Sequence, residues 1–224
     1  MRQHIGRDLK ENKSYLRSQW RAVIGLCLVL AMAPGCLADE SGASMEAPVI
    51  SLEADPASRN DGSGLQPGLA VRYYGNIFVR HVDKLIAHAK SAKGRPGPPI
   101  AQLNHQFDRN VVFDSGSNRG VGLRLAGYLH FAEAGNYRLQ ALANDGIRIL
   151  LGERLLLEDP GVHGDRLSPV GKVAVARPGW YPLTIWYYQR KGTAALKLFW
   201  RVPGGDARAV VPAAALAHGI QPVQ

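Results

Sequence analysis

From Gly64 onward, apolar and polar residues alternate in short runs separated by Gly, Pro, Asn and Asp. Side chains of a strand point to opposite faces in turn, so such runs predict half-buried β-strands. The most pronounced stretch spans residues 180–200. Leu183, Thr184, Ile185, Trp186, Tyr187 and Tyr188 are β-branched, aromatic or bulky; Gln189-Arg190-Lys191-Gly192-Thr193 interrupts them, and Ala194 begins a second run that ends at Trp200. This pattern predicts a closing β-hairpin whose return strand turns Ala194, Leu196, Leu198 and Trp200 inward. A lone hairpin does not hold in water, so upstream runs must supply a second layer. Candidates lie at 68–75, 103–107, 111–113, 120–131, 135–142, 147–151, 154–157 and 170–176, with a last strand near Val210-Val211.

One segment departs from alternation. Within 77–90, Phe78, Val82, Leu85, Ile86 and Ala89 recur at spacings of three and four, which predicts a short surface helix. The following Lys93-Gly94-Arg95-Pro96-Gly97-Pro98-Pro99 cannot continue a helix and is expected as an exposed loop. Many short strands, one helix and no repeat period argue for an all-β fold, an antiparallel sandwich or barrel with a short helix.

The chain before this domain reads differently. Arg2, Arg7, Lys10, Lys13, Arg17 and Arg21 precede an apolar run at 22–33 that is too short for the roughly 20 residues of a membrane span. Pro34-Gly35 ends it. Residues 1–35 therefore read as a secretory signal, with a signal anchor or a short buried helix as the alternative. Residues 36–64 are rich in Ala, Ser, Asp, Glu, Pro and Gly and read as a flexible acidic linker, in which Val49-Ile50-Ser51-Leu52 is the one run able to add an edge strand. Residues 65–224 form the globular domain. The chain has two cysteines, Cys27 and Cys36, and nothing after Cys36 can pair with it in a disulfide.

Charge divides along the same boundaries. Residues 36–64 carry Arg59 against Asp39, Glu40, Glu46, Glu53, Asp55 and Asp61, whereas the part from Leu65 onward holds 20 basic and 10 acidic residues. Such a field favours anionic partners, which for an exported domain means acidic glycans, lipid head groups or wall polymers rather than nucleic acid. A basic surface that only aids solubility is the plainer alternative.

Two resemblances sharpen this picture. Ala33-Pro34-Gly35-Cys36 resembles a bacterial lipobox, with Pro34 where a small residue is usual, and implies that Cys36 is lipidated as the mature N-terminus. Leu37 in place of an acid then resembles outer-membrane sorting; cleavage at a conventional site would leave a soluble periplasmic product. Farther on, Gly68-Leu69 with Tyr73-Tyr74, Gly127-Tyr128-Leu129 with Gly135-Asn136-Tyr137-Arg138, Asn144-Asp145-Gly146-Ile147-Arg148-Ile149 with His163 downstream, and Gly179-Trp180-Tyr181-Pro182-Leu183 with residues 194–200 follow one another in the order of the protective-antigen (PA-14) domain family. The resemblance covers roughly 65–216 and implies a PA-14-type β-sandwich.

Calcium-dependent, glycan-binding members of that family set two adjacent acids, often joined by a cis peptide, beside an Asn of the closing loop. The corresponding pair here is Asn144-Asp145, with an amide in place of one carboxylate, and the loop carries Gln189, Arg190 and Lys191. Two cations oppose a divalent ion and can pair with Asp145, so the resemblance implies a weak calcium candidate at Asp145 and a domain that has lost a complete calcium site. Asn144, Asp145, Arg148, Gln189, Arg190 and Lys191 are the expected binding rim. Asn-Asp-Gly is also ordinary turn chemistry. Trp186 and Tyr188, opposite Ile185 and Tyr187, are aromatic candidates for stacking on a sugar or for packing.

Signs of catalysis are scarce. No pair of histidines at metal-binding spacing, nucleophile elbow or phosphate loop is present; His81 and His88 stand seven apart without a third ligand, and Asp108, Asp114, Glu158 and Asp159 are the acids open to glycosidase pairing. The expectation is a non-enzymatic, exported, lipid-anchored or periplasmic domain that binds carbohydrate, an acidic polysaccharide before a neutral one. The alternative is a protein-interaction scaffold of an envelope complex.

Overall fold

In the computed structural model, which describes residues 48–53 and 62–219, the alternating runs build two stacked β-sheets. The signal segment, Cys36 and most of the acidic linker lie outside the described residues. In chain order the elements are β1 (Val49–Leu52), β2 (Leu65–Pro67), β3 (Leu69–Tyr74), α1 (Val82–Ser91), β4 (Arg95–Ile100), β5 (Asn104–Asp108), β6 (Val121–Phe131), β7 (Gly135–Asn144), β8 (Ile147–Leu151), β9 (Arg154–Asp159), β10 (Arg166–Leu167), β11 (Gly171–Val175), β12 (Gly179–Gln189), β13 (Ala194–Arg201), β14 (Ala209–Val210) and β15 (Leu216–Gly219).

One sheet has seven strands in the order β1-β11-β7-β13-β14, with β10 on β7 and β5 on β13; the other has eight in the order β2-β15-β6-β12-β8-β9, with β3 on β6 and β4 on β3. All pairings are antiparallel except β1 with β11, where Val49 to Leu52 run alongside Lys172 to Val175. The segment read as a linker thus contributes a strand, and its Ile50 and Leu52 enter the core. Between the sheets, Leu123, Leu125, Ile149, Leu183, Ile185 and Tyr187 meet Tyr137, Leu139, Val173, Leu196 and Leu198, all buried. Each such side chain removed from water contributes about 1.5–3 kcal/mol.

The stretch at 180–200 is not a hairpin. β12 pairs with β6 over its full length, from Gly179 opposite Phe131 to Gln189 opposite Val121, and on its other edge with β8. β13 pairs with β7, β5 and β14 in the opposite sheet. The chain therefore arches from one sheet to the other at residues 190–193. An alternating pattern cannot distinguish the two arrangements, because hairpin and arch alike turn Ile185, Tyr187, Leu196 and Leu198 toward apolar neighbours. The turn length fits both. What selects the arch is a better partner, since β6 matches β12 at 11 residues each.

The Pro-rich segment after the helix is a strand rather than a loop. β4 pairs with β3, Tyr73 opposite Arg95 and Arg72 opposite Pro96, and among the described residues β3 is its only partner strand. Pro lacks an N–H and is tolerated at a sheet edge, where the missing donor would have faced solvent. Conversely, residues 111–113 form no strand, although Val112 is fully buried and Phe113 packs edge-on against Phe107. Helix α1 lies on the outer face of the eight-stranded sheet. His81 caps it, accepting the Asp83 N–H on Nδ1 at 3.3 Å, and Val82 and Leu85 pack on Tyr74, Ile77 and Tyr188.

Candidate functional site

The corner where β7 ends is set by Asn144-Asp145-Gly146. β7 and β8 belong to different sheets, so these residues carry the chain from one layer to the other, and the Asn144-Asp145 peptide is cis. Gly146 is required by close approach: a Cβ there would stand 2.4 Å from the Tyr188 ring and 2.8 Å from the Pro160 carbonyl oxygen. Above this corner pass the 190–193 arch and the loop at 160–165.

Asp145 is almost fully buried. Its Oδ2 accepts the backbone N–H of Arg190 at 2.7 Å and its Oδ1 that of His163 at 3.2 Å. Burial, the largest influence, raises its pKa above the ordinary carboxylate value, and the two amides oppose that rise. The side chain thus ties both loops to the corner. Asn144 ties them from the other side: Nδ2 donates to Asp165 Oδ1 at 2.8 Å and to Thr193 Oγ1 at 2.9 Å, while Asp165 Oδ2 accepts from Gln106 at 2.7 Å. The Tyr187 hydroxyl donates to the Asn144 carbonyl at 2.6 Å.

This geometry redistributes the predicted rim. The pairing expected between Asp145 and the Arg190 cation is made instead by the Arg190 backbone amide; the guanidinium turns away and donates from Nε to the Phe78 carbonyl at 3.2 Å. Arg148 does not stand exposed beside Asp145. It lies on the outer face of β8, where it holds Glu158 at 2.6 Å and Asp83 of α1 at 2.8 Å, because its strand neighbour β9 and the helix both offer carboxylates there. Gln189 is fully buried, with Nε2 3.4 Å from the Gly192 carbonyl and no hydrogen-bond partner on Oε1. Lys191 alone of the six is exposed. Asp165 and Thr193 escaped the sequence reading; their nearest signal is position, since one lies two residues after His163 and the other in the loop that the resemblance places beside the acid pair.

Calcium needs six to eight oxygens, several of them carboxylate. Here the amide of Asn144 presents donors to Asp165 and Thr193, and both Asp145 oxygens already accept backbone N–H groups. Among the described residues no three His, Cys, Asp or Glu side chains converge as a metal site. The donor set does not fit calcium. Three of the four acids considered for catalysis are also engaged; Asp108 stands exposed. Arg166 donates two hydrogen bonds to Asp159 and holds its pKa below the usual carboxylate range, His163 Nε2 lies 3.2 Å from the same carboxylate but off hydrogen-bond geometry, Glu158 pairs with Arg148, and Asp114 pairs with Arg95.

A larger recess opens along α1. It has a volume of about 720 Å³, with Tyr74 and half-buried Trp186 at its floor and Arg72, Arg124, Lys90 and Lys93 around it. Arg72 and Arg124 stand opposite each other on β3 and β6, Arg124 is opposite Trp186 on β12, and its guanidinium lies 5.6 Å from the indole centroid. Tyr188 is buried beneath the helix, which removes it as a sugar platform and leaves Trp186.

No curated protein matches the sequence. Solved structures do match the fold. They include an anti-sigma factor domain-containing protein (16% identity, TM-score 0.59, 71% of this chain), about half of whose length this chain spans (51%). The PA14 domain of the antifreeze protein MpAFP matches at 18% identity and TM-score 0.60, over 77% of this chain and all of that one (100%). The Epithelial Adhesin 6 A domain of Candida glabrata, solved with Galβ1-3GlcNAc, matches at 11% identity and TM-score 0.57, over 75% and 97%. At these identities the likeness speaks for the fold. The PA14 domain model matches residues 101–213, half of the chain, so that strand order, sheet layers and sequence agree: the chain belongs to the PA14 domain family.

Proposed function

We propose that this is a non-catalytic carbohydrate-binding domain that takes an acidic glycan without a complete calcium site, carried by an exported envelope lipoprotein anchored through Cys36. The observation that carries the reading is the recess along α1, where an aromatic floor of Trp186 and Tyr74 is ringed by Arg72, Arg124, Lys90 and Lys93. The face of a pyranose ring packs on an indole, and guanidinium and ammonium groups meet its carboxylate, sulfate or phosphate. Recesses of roughly 300–1,000 Å³ are the size of small-ligand sites. The sugar-bound state of the adhesin neighbour supports carbohydrate as the ligand class. In this reading Asn144 and Asp145 hold the loop that carries exposed Lys191, which lies outside the lining of the recess.

The test is binding of the full chain to an oligosaccharide array across a salt series, with and without chelator. Saturable binding to acidic oligosaccharides that weakens with salt, survives chelation and falls in Trp186→Ala and in Lys90→Ser/Lys93→Ser is expected. Equal binding of neutral and acidic sugars, or loss on chelation, would overturn it. Silence on the array with an envelope protein captured instead would favour the scaffold alternative.

A further inference from the structure

We infer that the outer face of the seven-stranded sheet is a second, separate oxyanion site, one that seats the carboxylate, sulfate or phosphate of an acidic sugar. Lys172, Arg138 and Arg201 stand side by side on β11, β7 and β13, with Lys172 opposite Arg138 and Arg138 opposite Arg201. Residues directly opposite on antiparallel strands share a face with Cβ atoms about 4.5–5.5 Å apart, and like charges so placed destabilise a sheet. Among the described residues neither Arg138 nor Arg201 belongs to an ion pair.

The neighbouring row completes the site. Gln140 is opposite Phe199, and Arg208, from the segment after β13, sets its guanidinium 5.1 Å from the Phe199 centroid while Nη1 donates to Gln140 Oε1 at 3.4 Å. Gln140 is itself fixed, its Nε2 donating to the Ser168 carbonyl at 2.9 Å. The result is a hollow of about 290 Å³ whose lining has four cations, one aromatic ring and no acid. Asp165, the carboxylate bonded to Asn144, sits at the far end of β7.

Arg forks match planar oxyanions, and a ligand charge seated among Arg138, Arg201 and Arg208 would offset the repulsion between Arg138 and Arg201. The hollow admits one ring-sized unit, and the open sheet face leaves room for the polymer to continue on either side. This inference takes over the acidic-glycan preference proposed above but not its location, so the domain would hold two segments of polymer at once, one on each outer face.

Calorimetric titration of the full chain with trigalacturonate at low salt tests it, with neutral galactotriose and a thymidine oligonucleotide as comparators. Two equivalents bound per chain are expected, falling to one in Arg138→Ser/Arg201→Ser and to one in Lys90→Ser/Lys93→Ser, with affinity at the altered face reduced about tenfold or more. Because Arg138 is exposed, Arg201 half-buried, and the two face each other as like charges, the doubly substituted chain should melt no lower than the parent. One equivalent that survives Arg138→Ser/Arg201→Ser and is removed by Lys90→Ser/Lys93→Ser would overturn the second site and leave the recess intact. The reverse pattern would uphold the second site and remove the first. No binding in the parent, or equal binding of galactotriose or the oligonucleotide, would overturn it.

Discussion

Two charged regions of this domain, the Asn144-Asp145 corner and the row of Lys172, Arg138 and Arg201, are built on opposite principles. At the corner the carboxylates are met from within: Asp145 by two backbone amides, Asp159 by Arg166, and Asp165 by Asn144 and Gln106. Along the row, cations of one sign face each other across strands with no acid in the hollow they line. Buried polar groups left unmet cost free energy in proportion to their isolation from water, so the corner is an element of stability. Exposed cations are hydrated and tolerate each other at modest cost. Arg138 and Arg201 can therefore be spared for a ligand.

The comparison is broken most severely by substitutions at the corner. Asp145→Ala leaves the Arg190 and His163 amides without an acceptor and frees two loops, and should lower unfolding free energy by about 2–4 kcal/mol in urea titrations. A loss below about 1 kcal/mol would mean the corner is not a fold element. Next in size is the pH response of Asp159. Its folded pKa is depressed, first by Arg166, so its contribution is present above the unfolded carboxylate value and is lost as pH falls through the folded one. Asp159→Asn should therefore cost about 1–2 kcal/mol at neutral pH, and the gap to the parent should close as pH falls below the ordinary carboxylate value and through the depressed folded one. Asp145 slopes the other way. Its pKa is raised by burial, so its contribution is present at low pH and is lost as pH rises through the folded value.

The smallest effect belongs to the row, and its sign is opposite. Arg138→Ser relieves like-charge contacts and should raise stability by about 0.2–1 kcal/mol at low salt, a gain that disappears at about 1 M salt. Destabilisation instead, read from urea midpoints at the two salt concentrations, would show that Arg138 serves packing.

What the sequence revealed and what it hid follow from the range of the physics involved. Strands, the helix at Val82–Ser91 and the inward positions of Ala194, Leu196 and Leu198 were legible, because alternation and helical spacing are local. Pairing is not local: the arch between β12 and β13, the parallel contact of β1 with β11 and the strand character of the Pro-rich β4 depend on which partner is within reach. The Asn144-Asp145 corner was legible as a place through family resemblance. Its chemistry was not, since whether Arg190 offers a guanidinium or a backbone N–H, and whether Arg148 faces solvent or Asp83, is decided by neighbours far along the chain. The row of Lys172, Arg138 and Arg201 draws on three strands and leaves no trace in any one of them.

The parallel strand β1 has a consequence for how this domain tolerates shortening. β1 closes the outer edge of β11, the strand that bears Lys172, yet it lies well before the 101–213 segment that carries the family match. A chain trimmed to begin after Leu52 would keep that whole segment while uncovering the backbone donors and acceptors of β11. Bare ladders recruit other chains, so self-association through that edge would be the cost of losing four residues that a boundary drawn from family likeness alone would discard.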